Sequence, residues 1–99
     1  MKYSFSEMRA KATEIENQLI ELLHAGAYGT IRDLAFTLQE CWEGKAADAF
    51  FTFVNEATVR RDAEMCSRIP ELIRSSADNM EARQAQLAEQ VRRNFSSLF

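Results

Sequence analysis

The sequence has few of the residues on which turn-rich folds, disulfide frameworks and nucleic-acid surfaces depend. Its 99 residues include three glycines and one proline, too few for a collagen-like chain, a flexible linker or most turn-rich all-β folds. Two cysteines do not make a disulfide framework. The net charge is −3, so no basic surface for nucleic acid or anionic lipid is indicated. The chain is 46% hydrophobic and 27% charged, which is typical of one small folded domain.

Long hydrophobic runs are also missing. Apolar runs such as residues 49–51 are far shorter than the roughly 20 residues that a membrane-spanning helix needs. The opening residues Met-Lys-Tyr-Ser-Phe-Ser-Glu lack the apolar segment of an ordinary signal peptide. We therefore expect no membrane span and no cleaved signal peptide, so that any export would use another route.

Apolar residues recur at helical spacing in the first part of the chain. Over residues 5–22 the steps alternate between three and four residues, and the same alternation returns over residues 31–41. Between these segments, Gly26 and Gly29 coincide with a change of phase, and each costs a helix about 1 kcal/mol relative to alanine. We predict one long helix over residues 4–41 with a loose middle, and a true break is the alternative.

The residues Trp42-Glu43-Gly44 provide the first stop signal, because glycine favours the left-handed conformation that ends many helices. The apolar pattern then restarts and passes through a stretch poor in core residues near 59–62. It returns at Met65, Ile69, Ile73, Ala77, Met80, Leu87, Val91, Phe95 and Leu98. Pro70 should kink or split this second helix, because proline lacks an amide N–H. We therefore predict an all-α single domain over all 99 residues. Helix 1 (about 4–41) and helix 2 (about 45–95) would form an antiparallel hairpin around turn 42–44.

Two helices alone cannot cover every apolar side chain of such a hairpin. Several large apolar residues, among them Leu23, lie outside the main helical stripes. The usual solution is to pack two hairpins into a four-helix bundle. We therefore expect a dimer, formed by two copies or with another helical protein. The residues assigned to the dimer or partner interface are Phe36, Phe50, Phe51 and Val59.

Few residues are suited to catalysis or metal binding. Glu21 and His24 form the Glu-x-x-His element of dinuclear four-helix bundles. The heptad pattern places both residues away from the core face, which favours exposed side chains over a metal site. A single histidine also cannot supply both a nucleophile pair and a zinc site. We predict a non-enzymatic protein without cofactor or metal, and a dinuclear site remains the alternative.

The two cysteines are also expected to be structural. Cys41 lies at the predicted turn, and Cys66 lies about 20 residues, or roughly 30 Å, along helix 2. A disulfide needs Cα atoms within about 7 Å. We therefore predict two free thiols that are buried as small hydrophobic side chains.

Two pairs of basic residues, Arg60-Arg61 and Arg92-Arg93, stand out on helix 2. In the hairpin, Arg60 and Arg61 would face residues 26–28, where helix 1 is weakest. Arginines at this position are either simply exposed to solvent or define the register of a dimer or a docking surface.

Trp-x-Gly is a weak pattern by itself, but its context here is informative. It stands near the middle of the chain between two heptad patterns, and Lys45-Ala46-Ala47-Asp48-Ala49-Phe50 gives the next helix a start rich in small residues. With these features, essentially the whole chain resembles the WXG-motif family. These are the ESAT-6-like small proteins of about a hundred residues that are linked to type VII secretion.

The resemblance implies a helical hairpin, an antiparallel dimer, and export from the cytoplasm as a folded pair without a cleaved signal peptide. Members of the family act as secreted substrates, virulence factors or export partners of larger toxins. The implied partners are a second copy, or another helical WXG or toxin-domain protein, and the secretion machinery. Trp42 and Gly44 would shape the turn and cap the core, or an exposed Trp42 would be recognised directly.

The C-terminus departs from the family pattern. Exported members often carry a Tyr-x-x-x-Asp/Glu signal after helix 2, whereas no tyrosine follows Tyr28 here. We expect a partner to supply the signal, or the apolar residues Phe95, Leu98 and Phe99 to be recognised instead. A helical interaction module unrelated to secretion is the alternative function.

Overall fold

The computed structural model describes residues 4–97, which form five α-helices, one 3-10 helix and the turns between them. The all-α class predicted from the sequence is confirmed for these residues. In chain order, the elements are α1 (Phe5–His24), α2 (Tyr28–Phe36), the 3-10 helix (Thr37–Glu40), α3 (Lys45–Val59), α4 (Ala63–Ser67) and α5 (Ile69–Ser97).

The expected hairpin of two long helices is not found. Helix 1 (4–41) is divided at residues 25–27, and helix 2 (45–95) is divided at residues 60–62. At each division the chain reverses, so that four helical segments of one chain pack side by side. The prediction of two long helices underestimated the apolar surface that the reversals bury. When the chain folds back, two further helix faces become buried within the same chain.

The first reversal is a helix end of the Schellman type. Gly26 adopts a left-handed conformation with φ 68°. Its N–H donates to the carbonyl of Leu23 at 3.1 Å, and the N–H of Ala27 donates to the carbonyl of Leu22 at 2.8 Å. These two bonds satisfy carbonyls that the end of α1 would otherwise leave unpaired.

The second reversal has the same geometry without a glycine. The N–H of Arg61 donates to the carbonyl of Thr58 at 3.2 Å, and the N–H of Asp62 donates to that of Ala57 at 3.0 Å. Arg61 has φ 54°, which costs a residue with a Cβ roughly 1–2 kcal/mol. Asp62 then starts α4, because its carboxylate accepts the N–H of Met65 at 3.0 Å.

The two reversals lie side by side at one end of the bundle. The guanidinium carbon of Arg61 is 4.7 Å from the centre of the Tyr28 ring, a distance typical of a cation–π interaction. A Cβ placed on Gly26 would lie 2.9 Å from the Arg61 guanidinium. The sequence-based expectation that Arg60 and Arg61 face residues 26–28 is therefore met at Arg61, although the helices are broken there.

Helices α1 and α5 are antiparallel and pack along most of α1. Arg9 contacts Asp78 at 2.7 Å and Glu81 at 3.1 Å, and Arg74 contacts Glu16 at 3.0 Å. These ion pairs are largely exposed and therefore contribute little to stability. They show the direction in which the two helices run, because residues early in α1 face residues late in the paired part of α5.

Helices α2 and α3 form the second closely packed pair. The rings of Phe36 and Phe51 are 5.1 Å apart between centroids, and Trp42 lies at the same distance from Phe50. Gly44 precedes α3 with φ 115°, a conformation that strongly favours glycine. The turn predicted at residues 42–44 is thus present between α3 and the 3-10 helix.

The core lies between the α1–α5 pair and the α2–α3 pair. The N–H of Ser4 donates to the carbonyl of Cys41 at 3.1 Å, which brings the start of α1 to the turn before α3. The largest fully buried side chains are Met8, Ile15, Ile31, Leu38, Trp42, Val54, Cys66, Ile69 and Ile73.

Pro70 lies in the first turn of α5, where a helix needs no N–H donor from that residue. The break expected near Pro70 falls between the end of α4 and the start of α5. Beyond Glu81, α5 leaves the bundle. Residues 82–97, here named the α5 tail, extend the molecule to 62 Å along its longest axis, compared with 22 and 21 Å across.

Candidate functional site

Trp42 and Gly44, the predicted turn motif, have structural positions. The Trp42 side chain is only 1% exposed and packs against Phe50 and Phe51. Its Nε1 is buried and forms no hydrogen bond with any residue that the structure describes. Direct recognition of an exposed Trp42 is therefore not possible in this conformation.

The residues predicted to form a dimer or partner interface lie mostly in the core of a single chain. Phe50 and Phe51 are buried, and Phe36 is partly buried against the same core. Their assignment to an interface is corrected by this packing, because the reversals bring α2 and α3 together within one molecule. Val59 alone of the four is strongly exposed, at 68%.

The residues considered for chemistry are not brought together. Glu21 and His24 are both exposed on α1, and residues 4–97 contain no group of three or more side chains suited to bind a metal. Cys41 and Cys66 are buried free thiols, as predicted. Burial raises the pKa of both thiols, and nearby carboxylates raise it further. Both cysteines are thus poorly suited to act as nucleophiles.

An apolar stripe on the α5 tail is the most conspicuous exposed feature. Leu87, Val91 and Phe95, here named the α5 stripe, are 61%, 58% and 62% exposed. They follow Met80 at intervals of seven, four and four residues, so they lie on the helix face that Ile73 presents to the core. The stripe therefore continues the core face of α5 beyond the end of the bundle.

Arginines dominate the charge of the tail. Residues 82–97 contain three arginines and one glutamate, a net charge of +2, while the rest of the chain has nine basic and fourteen acidic residues, a net charge of −5. By helical periodicity, Arg83 and Arg92 flank the α5 stripe on opposite sides, and Glu89 lies on the far face. Glu89 contacts both Arg92 and Arg93, at 2.6 and 3.4 Å.

Sequence analysis identified Phe95 at this surface but not Leu87 and Val91. Those two residues were interpreted as part of the helix 2 stripe, which the hairpin would have covered. The signal that could have found them is length, because a stripe that continues past the ends of the neighbouring helices cannot be covered by those helices. Leu98 and Phe99, the other predicted recognition residues, lie outside the described residues.

A second apolar surface lies between α3 and α5, which pack less closely than α1 with α5 or α2 with α3. An open cavity of about 300 Å³ separates them there. Phe53 and Leu72 contribute apolar walls, and Arg68 and Ser76 contribute the polar ones.

The chain offers no apolar helix long enough to reach across a bilayer within residues 4–97. Searches of protein-family models, of curated proteins and of solved structures found nothing that matches the chain.

Proposed function

We propose that the protein is a non-enzymatic helical protein that binds a partner through the α5 tail. The observation that carries this proposal is the α5 stripe, three large apolar side chains aligned on a helix that leaves the bundle. A contiguous exposed apolar surface with polar edges is typical of a protein interaction site. Burial of each side chain would contribute about 1.5–3 kcal/mol before the costs of association.

Site-specific photo-crosslinking in cells tests this proposal. A photoreactive residue at position 87 should give one defined crosslinked product, whereas the same residue at position 20 should not. Ile20 is a matched control, because it is 71% exposed but lies on α1, away from the tail. The crosslinked protein is then purified, and its binding should be lost in the double variant Leu87→Glu and Val91→Glu. Equal binding by that variant would contradict the proposal.

A second proposal is that the protein acts in type VII secretion, as a secreted small protein or an export partner of a larger toxin. It is supported by the Trp42-Glu43-Gly44 motif in a tight turn between antiparallel helical segments, with a start of α3 rich in small residues. In this proposal the exported form is a dimer, of two copies or with another helical protein, and the C-terminal residues carry or complete the signal.

Export and mass measurements separate the two proposals. If the protein is a secretion substrate, it should reach the medium only in cells with an intact secretion ATPase. Deletion of residues 96–99 should then reduce export but leave helicity and thermal stability nearly unchanged. Light scattering should show a dimer or a requirement for a helical partner. Export that does not depend on the secretion ATPase, or a stable monomer that needs no helical partner, would contradict this second proposal.

A further inference from the structure

We propose that the α5 tail binds an amphipathic helix of another protein, and that glutamate or aspartate residues flank the apolar seam of that helix. This inference rests on the first proposed function and names the chemical class of the partner. It is carried by the width of the α5 stripe, by its position on a projecting helix, and by the charges beside it.

The width of the stripe suits one partner helix. Leu87, Val91 and Phe95 provide about one large side chain per helical turn, in a single row. The residues between them are Ala88, Glu89, Gln90, Arg92, Arg93 and Asn94, all small or polar. The apolar surface is therefore much narrower than the face of a helix in a globular core. A narrow row of this kind matches the seam between two paired helices.

The length of the tail is sufficient for such a pair. Residues 82–97 span about 24 Å at 1.5 Å per residue. Apart from the half-buried Glu89, residues 82–96 are exposed. A partner helix could therefore lie along more than four turns without displacing any contact of the bundle.

The charges specify an acidic partner. Arg83 and Arg92 flank the α5 stripe on its two sides, where a paired helix would place its own flanking residues. Arg92 and Arg93 share one carboxylate, that of Glu89, so the tail keeps a net charge of +2. Acidic side chains at the flanks of a partner helix would complement these arginines and increase the association rate.

A second copy of the chain does not offer this complement. Two paired tails would bring six arginines and two glutamates together, which repel each other. The apolar cavity between α3 and α5 of a second copy would not attract the basic tail, because it has an arginine, Arg68, in its wall. The acidic cavity between α1 and the 3-10 helix contains Glu7, Glu14 and Glu40, but the large apolar side chain in it, Leu38, is fully buried.

Two designed helical peptides test the inference on the full chain. Both carry the same leucine seam, and the flanking positions are glutamate in one peptide and lysine in the other. By fluorescence anisotropy at low salt, the glutamate peptide should bind about tenfold more tightly or better, and the difference should narrow at high salt. The double variant Arg83→Glu and Arg92→Glu should reverse the preference, whereas Arg32→Glu on α2 should not.

Other outcomes would overturn the inference. Equal binding of the two peptides, binding of the tail to anionic vesicles in place of the glutamate peptide, or a tail-dependent dimer in sedimentation would each contradict it. The crosslinking experiment distinguishes a failure of this inference from a failure of the proposed function. A partner crosslinked at position 87 that is not an acidic amphipathic helix contradicts this inference alone. The absence of any crosslink that depends on the tail contradicts the proposed function itself.

Discussion

The two halves of α5 have the same apolar pattern and opposite environments. In residues 69–81, the side chains of Ile69, Ile73 and Ala77 are fully buried. In residues 82–97, the same face exposes Leu87 and Val91 by more than half. The difference arises because α1 begins at Phe5, opposite the middle of α5, so no other helix within residues 4–97 accompanies the tail. Spacing therefore shows which side chains can be buried, and the lengths of the neighbouring helices decide which ones are.

The largest effect is expected at Trp42, at the end of the bundle opposite the two reversals. Trp42→Ala should lower the free energy of unfolding by about 3–5 kcal/mol, because a large side chain that is fully buried would leave a cavity. Trp42→Phe should cost much less, since the indole N–H makes no hydrogen bond within the described residues. Urea unfolding followed by circular dichroism measures both variants. A small effect of Trp42→Ala would mean that the packing around Trp42 is not part of the stable core.

Matched substitutions in the two halves of α5 test the comparison directly. Ile73→Ala should destabilise the fold by about 2–5 kcal/mol, whereas Leu87→Ala should change stability by no more than about 0.5 kcal/mol. The residues share one helix face and differ in burial, from 0% to 61%. Thermal unfolding of the two variants provides the measurement. Comparable losses would show that the tail packs against something in solution.

Gly26 in the first reversal and Gly29 on α2 differ in how strictly their backbone conformation requires glycine. Gly26→Ala should destabilise the bundle by about 1–2 kcal/mol, because alanine is strained at φ 68°. The added Cβ would also displace the guanidinium of Arg61. Gly29→Ala is the control, since open space surrounds that position on α2, and it should be neutral or stabilise by up to about 1 kcal/mol. If the two variants behaved alike, the reversal at residues 25–27 would be in doubt.

The smallest effect is expected at the ion pair between α1 and α5. Hydrogen bonds from Arg74 lower the pKa of Glu16 below its ordinary value of 4.5. The pair therefore stabilises the fold above about pH 4.5 and loses this contribution as the pH falls through the lower pKa of the folded state. Glu16→Gln should slightly lower Tm at pH 7 and leave it unchanged in strong acid. An equal effect of Glu16→Gln at pH 7 and in strong acid would contradict this assignment.

Helical periodicity predicted much of the core. Met8, Ala12, Ile15 and Leu19, which define the first stripe, are all buried on α1. This succeeds because an amphipathic helix has to bury one face, and local spacing identifies that face whatever the helix packs against. The same reasoning does not reveal how many helices one chain brings together.

The two reversals were visible only as irregularities in the pattern. The change of phase at Gly26 was interpreted as a loose segment, because two glycines cost a helix only about 2 kcal/mol in total. Folding the chain back there buries a whole second layer, and that gain depends on residues far away in sequence. Arg61 was harder still to predict, since a left-handed residue is usually glycine or asparagine. Its contact with Tyr28 exists only after both reversals have formed.

The candidate site was predicted only in part for a related reason. The apolar character of Phe95 was evident, but the exposure of Leu87 and Val91 follows from where α1 begins relative to α5. That relation is a property of the folded bundle, not of the local sequence. Exposed and buried stripes are therefore indistinguishable until the lengths of the packed helices are known.

The position of the two reversals has a mechanical consequence. Two links join the α1–α5 layer to the α2–α3 layer: residues 25–27, and residues 60–68, which include α4. Both links lie at the same end of the bundle, where Arg61 meets Tyr28. At the opposite end the layers are held by side-chain packing around Trp42 and by the hydrogen bond from Ser4 to Cys41. The α5 tail leaves the bundle at this opposite end. A pull on the tail would therefore act on the end of the bundle where packing and one hydrogen bond, and no link of the chain, join the two layers.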